Sequence, residues 1–184
     1  MTYTIDIAGM KRDLPLCHVS DDLLIGAFVM FGDVEITIHC AKEMLKRAPE
    51  YDYLIAPEAK AIPLLYEMAR QTHAEKYFLA RKNAKAYMQG VLQVDVQSIT
   101  TQGMQTLVID TADAELMKGH RILIIDDVIS TGESMHAMEV LVERAGGIVA
   151  GRMAVLAEGD AAEREDIITL APLPLFNADG TVKA

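Results

Sequence analysis

A chain of 184 residues, 51% hydrophobic and 24% charged, has the length and apolar content of one compact unit that buries its own core. Its 27 acidic residues against 17 basic ones give a formal charge of −10, which repels polyanions and excludes nucleic acid as a first partner. No apolar run approaches the roughly 18 residues of a membrane span, and the opening MTYTIDIAGMKRD carries no basic stretch followed by an apolar block, so neither a membrane span nor a signal peptide is expected and the cytoplasm is the default location.

Residues 1–45 read as a small cap: a short strand over Tyr3 to Ile7, the irregular stretch KRDLPLCHVSDD, and a helix from about Glu35 to Arg47. Cys17 and Cys40 are too few for a disulfide framework and show no CxxC spacing, which suits a reducing compartment. With His18 and His39 they can be drawn as a zinc quartet, but the ligand order lacks the usual geometry and small apolar fillers are the plainer reading. Next come YDYLIA (Tyr51 to Ala56) as strand, KAIPLLYEMARQ (Lys60 to Gln71) as helix and KYFLAR (Lys76 to Arg81) as strand. Leu92, Val94 and Val96 alternate with Gln93, Asp95 and Gln97, the period of a half-exposed strand, and QTLVID (Gln105 to Asp110) reads as its partner across a turn at Thr100 to Gly103. This polar-tipped hairpin, within residues 83–110, is not needed to complete the core, which makes it a candidate flap.

RILIIDD (Arg121 to Asp127) is a buried strand, ESMHAMEVLVERA (Glu133 to Ala145) a helix stopped by Gly146-Gly147, and IVAGRMAVLA (Ile148 to Ala157) the following strand. The eleven methionines, Met135 and Met138 among them, read as core filler, and His136 as a surface residue. Alternating strands and helices predict an α/β, Rossmann-like domain over 1–184: a mostly parallel sheet with helices on both faces, the flap hairpin inserted, and a small N-terminal hood.

The densest chemistry lies in RILIIDDVISTGES. Four apolar residues lead to two adjacent carboxylates, Asp126 and Asp127, expected to meet solvent at the sheet edge. After Val128 and Ile129, the segment Ser130, Thr131, Gly132, Glu133, Ser134 runs straight into a helix. Its free N–H groups, hydroxyls and one glycine make a nest for a phosphate group. Taken singly, each feature also fits a capped strand and a capped helix; acids upstream and a phosphate nest downstream can together hold the two ends of one sugar phosphate.

This segment resembles the signature of the type I phosphoribosyltransferases along its whole length. YDYLIAPEAKAIPLLYEMAR is similar to the strand, pyrophosphate loop and helix of the purine branch, YFLARKNAK to its Arg-Lys strand end, and EREDIITLAPLPLF to the C-terminal segment of adenine phosphoribosyltransferases. The resemblance implies transfer of 5-phosphoribose from phosphoribosyl pyrophosphate to a purine base with release of pyrophosphate. Asp126 and Asp127 would grip the ribose, Ser130, Thr131, Gly132, Glu133 and Ser134 the 5′-phosphate, and Glu58, Ala59, Lys60, Arg81, Lys82 and Lys85 the pyrophosphate. Val128 and Ile129 would lie beside the base. It further implies Mg²⁺, held mainly through the substrate rather than by direct protein ligands, and a homodimer in which Arg81 and its neighbours serve the partner's active site; Lys85 equally reads as part of a solvated basic turn.

Two departures bear on the base. The pyrophosphate loop has Lys60 where Arg is usual and Ala61 where Gly is usual, losing bidentate geometry and backbone freedom. No carboxylate lies between Asp95 and Asp110, where adenine-type flaps carry a Glu; VQSITTQ, with Thr100 or Thr101 at that position, is similar to xanthine-type flaps. The 6-oxopurine enzymes usually present a Lys after the strand that follows the motif helix, whereas here LAEGDAAE offers Glu158, an acceptor suited to an amino group. Adenine is therefore the leading base. Xanthine or hypoxanthine and guanine are the alternatives, as is a non-catalytic regulator that senses phosphoribosyl pyrophosphate.

Overall fold

The computed structural model describes residues 1–97 and 104–183. Three strands open the chain: β1 (Thr2–Ile7), β2 (Met10–His18) and β3 (Leu23–Gly26). They pair antiparallel in sequence order. Helix α1 (Val34–Leu45) follows, capped by Asp33, whose side chain accepts from the Ile36 N–H at 3.1 Å. Then come β4 (Tyr53–Pro57), α2 (Ile62–Gln71) with Pro63 in its first turn, and β5 (Phe78–Ala80). The hairpin β6 (Val91–Gln97) and β7 (Met104–Asp110) leads to α3 (Thr111–Met117), β8 (Arg121–Ile129), α4 (Glu133–Arg144) and β9 (Ile148–Glu158). A 3-10 turn (Gly159–Glu163), β10 (Ile168–Leu173) and β11 (Leu175–Asn177) complete the elements.

The central sheet is five-stranded in the order β10-β9-β8-β4-β5, parallel throughout. β8 lies in the middle, and Ile122 to Ile125 have no exposed surface. Leu123 and Ile125 pack with Ile36 and Met44 of α1 and Leu64 and Met68 of α2; Ile122 and Ile124 pack with Met135, Met138 and Leu141 of α4. A strand covered on both faces cannot alternate polar with apolar, which explains the unbroken ILII run. Each such buried side chain contributes about 1.5–3 kcal/mol. Gly146, at φ +79°, terminates α4 as expected.

Several expectations are corrected. KRDLPLCHVSDD is not irregular: most of it is β2, whose inner row is Met10, Arg12, Leu14 and Leu16. An arginine on the inner face and Pro15, which lacks an N–H, hid the alternation. The hood is not built from the N-terminal region alone, because β11 pairs with β3 from the other end of the chain. The hairpin is not merely an addition to a finished core: Val94, Leu107 and Ile109 are buried with Met138 and Leu141 of α4. Its tip, including Thr100 to Gly103, lies outside the described residues. Finally, β8 continues through both acids to Ile129, Asp126 pairing with Ala154 and Ile129 with Ala157. α3 has no counterpart among the expected elements, since seven residues are too few for a helical period to show.

Candidate active site

The C-terminal ends of β4 and β8, the start of α4 and strand β7 surround one cavity of about 690 Å³. Glu58, Ala59 and Lys60 line it from the β4–α2 loop, Lys82 and Asn83 from beyond β5, Asp126, Asp127, Val128 and Ser134 from the motif, and Met104 to Leu107 from the hairpin. The Glu58–Ala59 peptide is cis. Glu58 accepts from Arg81 Nη1 at 3.1 Å and from the Lys82 N–H at 3.2 Å, tying the β4–α2 loop to the strand end beside it.

The two acids differ. Asp127 is 2% exposed rather than solvent-facing. Its Oδ2 has no hydrogen-bond partner among the described residues, although the Lys60 ammonium stands 3.3 Å away as an ion pair. Asp126 Oδ1 accepts from the Asp127 N–H at 2.8 Å. Burial, the adjacent Asp127 charge and a hydrogen bond to that side chain push the Asp126 carboxyl well above the ordinary carboxylate range, against the opposing pull of the Asp127 N–H and Lys60. Such a pair is set to exchange water, protons or hydroxyl partners, and an orphaned buried carboxylate oxygen marks a place where a ligand completes the bonding.

Immediately downstream, Ser130, Thr131, Gly132 and Ser134 surround a hollow of about 40 Å³ floored by Ile129 and Met135. Gly132 takes φ +81°, a left-handed conformation that L side chains rarely adopt; it turns the chain from β8 into α4. The Thr131 hydroxyl accepts from the Glu133 N–H at 3.4 Å. The arrangement is a helix start with three hydroxyl-bearing residues and a glycine around a small space, a setting suited to one tetrahedral anion.

A third space of about 250 Å³ lies between the hood and the sheet, lined by Ile25 to Val29, Lys60, Val128, Ser130 and Glu158. Burial pushes the Glu158 carboxyl up and Lys60 pulls it down. The sequence does not single out the hood residues here, Phe28 among them; the two phenylalanines within GAFVMFGD, Phe28 and Phe31, are a local sign of them. Ile129, expected beside the base, sits instead in the core under the anion hollow. Arg81 is not among the residues lining the large cavity; bonded to Glu58 on that cavity's wall, with its guanidinium 5.7 Å from the Tyr87 ring centroid, it lines a separate hollow of about 440 Å³ with Tyr77, Asp110 and Asp113. Lys85 lines neither space. His136 is exposed, and Met135 and Met138 are buried. Cys40 is fully buried in the core while Cys17 is exposed.

Residues 35–170 match the family model described as the phosphoribosyl transferase domain. An adenine phosphoribosyltransferase from Kosmotoga olearia is 34% identical over 125 residues, 65% of this chain and 66% of that protein. A hypoxanthine/guanine phosphoribosyltransferase from Methanocella paludicola is 31% identical over 118 residues, 64% of this chain and 58% of its own. The alignments thus span 66% and 58% of these two relatives' length, less than two thirds of each. The crystal structure of an adenine phosphoribosyltransferase from Thermoanaerobacter pseudethanolicus superposes with a TM-score of 0.62 at 26% identity, covering 73% of this chain and 80% of that one.

Proposed function

This chain belongs to the phosphoribosyl transferase domain family, and on that premise we propose that it transfers 5-phosphoribose from phosphoribosyl pyrophosphate to a purine base, adenine in preference, releasing pyrophosphate. The observation that carries the reading is the adjacency of three spaces around the motif: Val128 lines all three, Asp126 lines both the large cavity and the anion hollow, Lys60 lines both the large cavity and a hood space of purine size, and the orphaned Asp127 Oδ2 stands at the large cavity.

As the C1–O bond to pyrophosphate breaks, positive charge grows on the ribose ring and negative charge on the leaving group. Asp126 and Asp127 hydrogen-bond the ribose hydroxyls, and Asp127, ion-paired with Lys60 in the free protein, offsets the ring charge. Lys60, released from Asp127, and Lys82 face the pyrophosphate; Lys60 does so as a point charge without the fork of an arginine. The 130–134 hollow takes the 5′-phosphate. Holding three parts of one substrate in fixed registration removes much of the entropic barrier.

Mg²⁺ fits this donor set. The carboxylates are hard oxygen ligands, one of them lacking a hydrogen-bond partner, and no cluster of three or more ligating side chains occurs among the described residues, so substrate oxygens and water would supply most of the coordination. When bound, the ion neutralises charge on the pyrophosphate.

Glu158 supports adenine, since a carboxylate accepts from an exocyclic amino group. A 6-oxopurine reading draws on the Methanocella relative's name and on Lys60, a donor that also lines the hood space. Incubation of the protein with Mg²⁺, phosphoribosyl pyrophosphate and each of adenine, hypoxanthine, guanine and xanthine, with chromatography of the products, is expected to yield adenosine monophosphate fastest; absence of nucleotide from all four would refute the assignment.

A further inference from the structure

The turn after β9 brings a cation from outside the motif against Gly132, one of the residues that line the anion hollow. Arg164 follows the 3-10 turn, and Asp166 holds one edge of its guanidinium: Nε donates to Oδ1 at 2.9 Å and Nη2 to Oδ2 at 2.7 Å. That fork leaves the Nη1 corner facing Gly132, so near that a Cβ built on Gly132 would collide with it. The glycine that lets the chain turn into α4 thus also makes room for the guanidinium. Residues 130–134 contribute hydroxyls, N–H groups and the acid Glu133 but no cation, and Asp127 adds negative charge at the adjoining strand end. A dianionic phosphate arriving there needs an offsetting positive charge.

The geometry points to Arg164, aligned by Asp166, as the residue that makes this loop select a phosphorylated sugar, its Nη1 N–H groups donating to the terminal phosphate of a ligand seated on Ser130–Ser134. This rests on the phosphate-site reading of the loop proposed above and adds to it a specificity-determining residue and, in Asp166, a positioning residue. A guanidinium already held in a fork keeps its direction with little further ordering on binding, which a lysine cannot reproduce. Because Arg164 and Asp166 are 36% and 50% exposed, the pair contributes little to folding and variants there keep the fold.

The test is calorimetric titration of the whole chain with ribose 5-phosphate and, separately, with magnesium pyrophosphate. Arg164→Ala is expected to weaken ribose 5-phosphate binding about tenfold or more, the scale of a lost charge-assisted hydrogen bond, and to leave pyrophosphate binding within about twofold. Arg164→Lys falls between the alanine variant and the unaltered protein, and Asp166→Asn weakens ribose 5-phosphate by about threefold. Equal affinity for ribose 5-phosphate in Arg164→Ala and the unaltered protein, or parallel losses for both ligands, overturns the assignment to Arg164 while the loop keeps its role. If the unaltered protein binds pyrophosphate but no ribose 5-phosphate, the reading of the loop falls, and this inference with it.

Discussion

The hood sheet and the central sheet each place a charged residue in line with an inward apolar row, and they treat it in opposite ways. In the hood, Arg12 interrupts Met10, Leu14 and Leu16, and its guanidinium is answered by Asp33 at 2.7 Å and Glu35 at 2.8 Å. In the central sheet, Asp127 continues the row of Leu123 and Ile125, yet among the described residues its Oδ2 has no hydrogen-bond partner and is faced by a lysine that is itself 56% exposed. A charge whose hydrogen-bonding groups are answered by protein carboxylates is scaffolding. One left short of partners in a cavity is held in reserve for a ligand, and the difference separates structural from functional polarity without reference to any relative.

The contrast can be broken most forcefully at the acids. Replacing Asp126 and Asp127 together by Asn is expected to lower nucleotide formation at least ~100-fold, about 3 kcal/mol of barrier; turnover within about tenfold of the unaltered rate would show that the pair does not grip the ribose. Lys60→Ala comes next, with a loss of about tenfold or more expressed mainly as a raised KM for phosphoribosyl pyrophosphate, read from initial rates across substrate concentration.

Arg12→Ala sharpens the other side. It should leave kcat per folded molecule unchanged and lower stability by about 1–2 kcal/mol, several degrees in Tm by circular dichroism. Arg12 holds the Asp33 carboxyl below its ordinary range, so that bond stabilises the fold above pH ~4 and its contribution is lost as pH falls further; the variant should show a shallower acid transition. The smallest effect belongs to Asp126→Asn alone. Because the native carboxyl titrates above its unfolded counterpart, the folded state binds the extra proton, and stability declines as pH rises from near 4 through the neutral range. The asparagine variant removes that decline, gaining about 1 kcal/mol at neutral pH, roughly 3 °C in Tm, while losing activity. A neutral-pH loss of stability would show that Asp126 is charged and well solvated in the folded protein.

What could be seen in the sequence follows from how local each feature is. The run ILII, the acids and the Ser-Thr-Gly turn are contiguous, so strand, anion hollow and helix start all stand within Arg121 to Ser134. The alternation of Leu92, Val94 and Val96 likewise marked the hairpin, but not that Val94 and Leu107 bury against α4, because that contact depends on how the hairpin lies across the helix. The hood space was opaque for a different reason: Phe28 and Val29 reach the site only because β3 is braced by β11 from the far end of the chain. Arg164 was hidden in the same way, an ordinary surface arginine in ERED until the turn after β9 folds it over Gly132. Arg81 was legible as a basic strand end, whereas its orientation toward Glu58 and Tyr87 was not.

A crystal structure with adenosine monophosphate bound is the most direct test of the central claim. The account predicts the phosphate in the hollow of Ser130 to Ser134, the ribose hydroxyls within hydrogen-bond reach of Asp126 and Asp127, and the purine between Phe28 and Val128. A nucleotide bound with its phosphate elsewhere, or with Asp127 still orphaned, would contradict it.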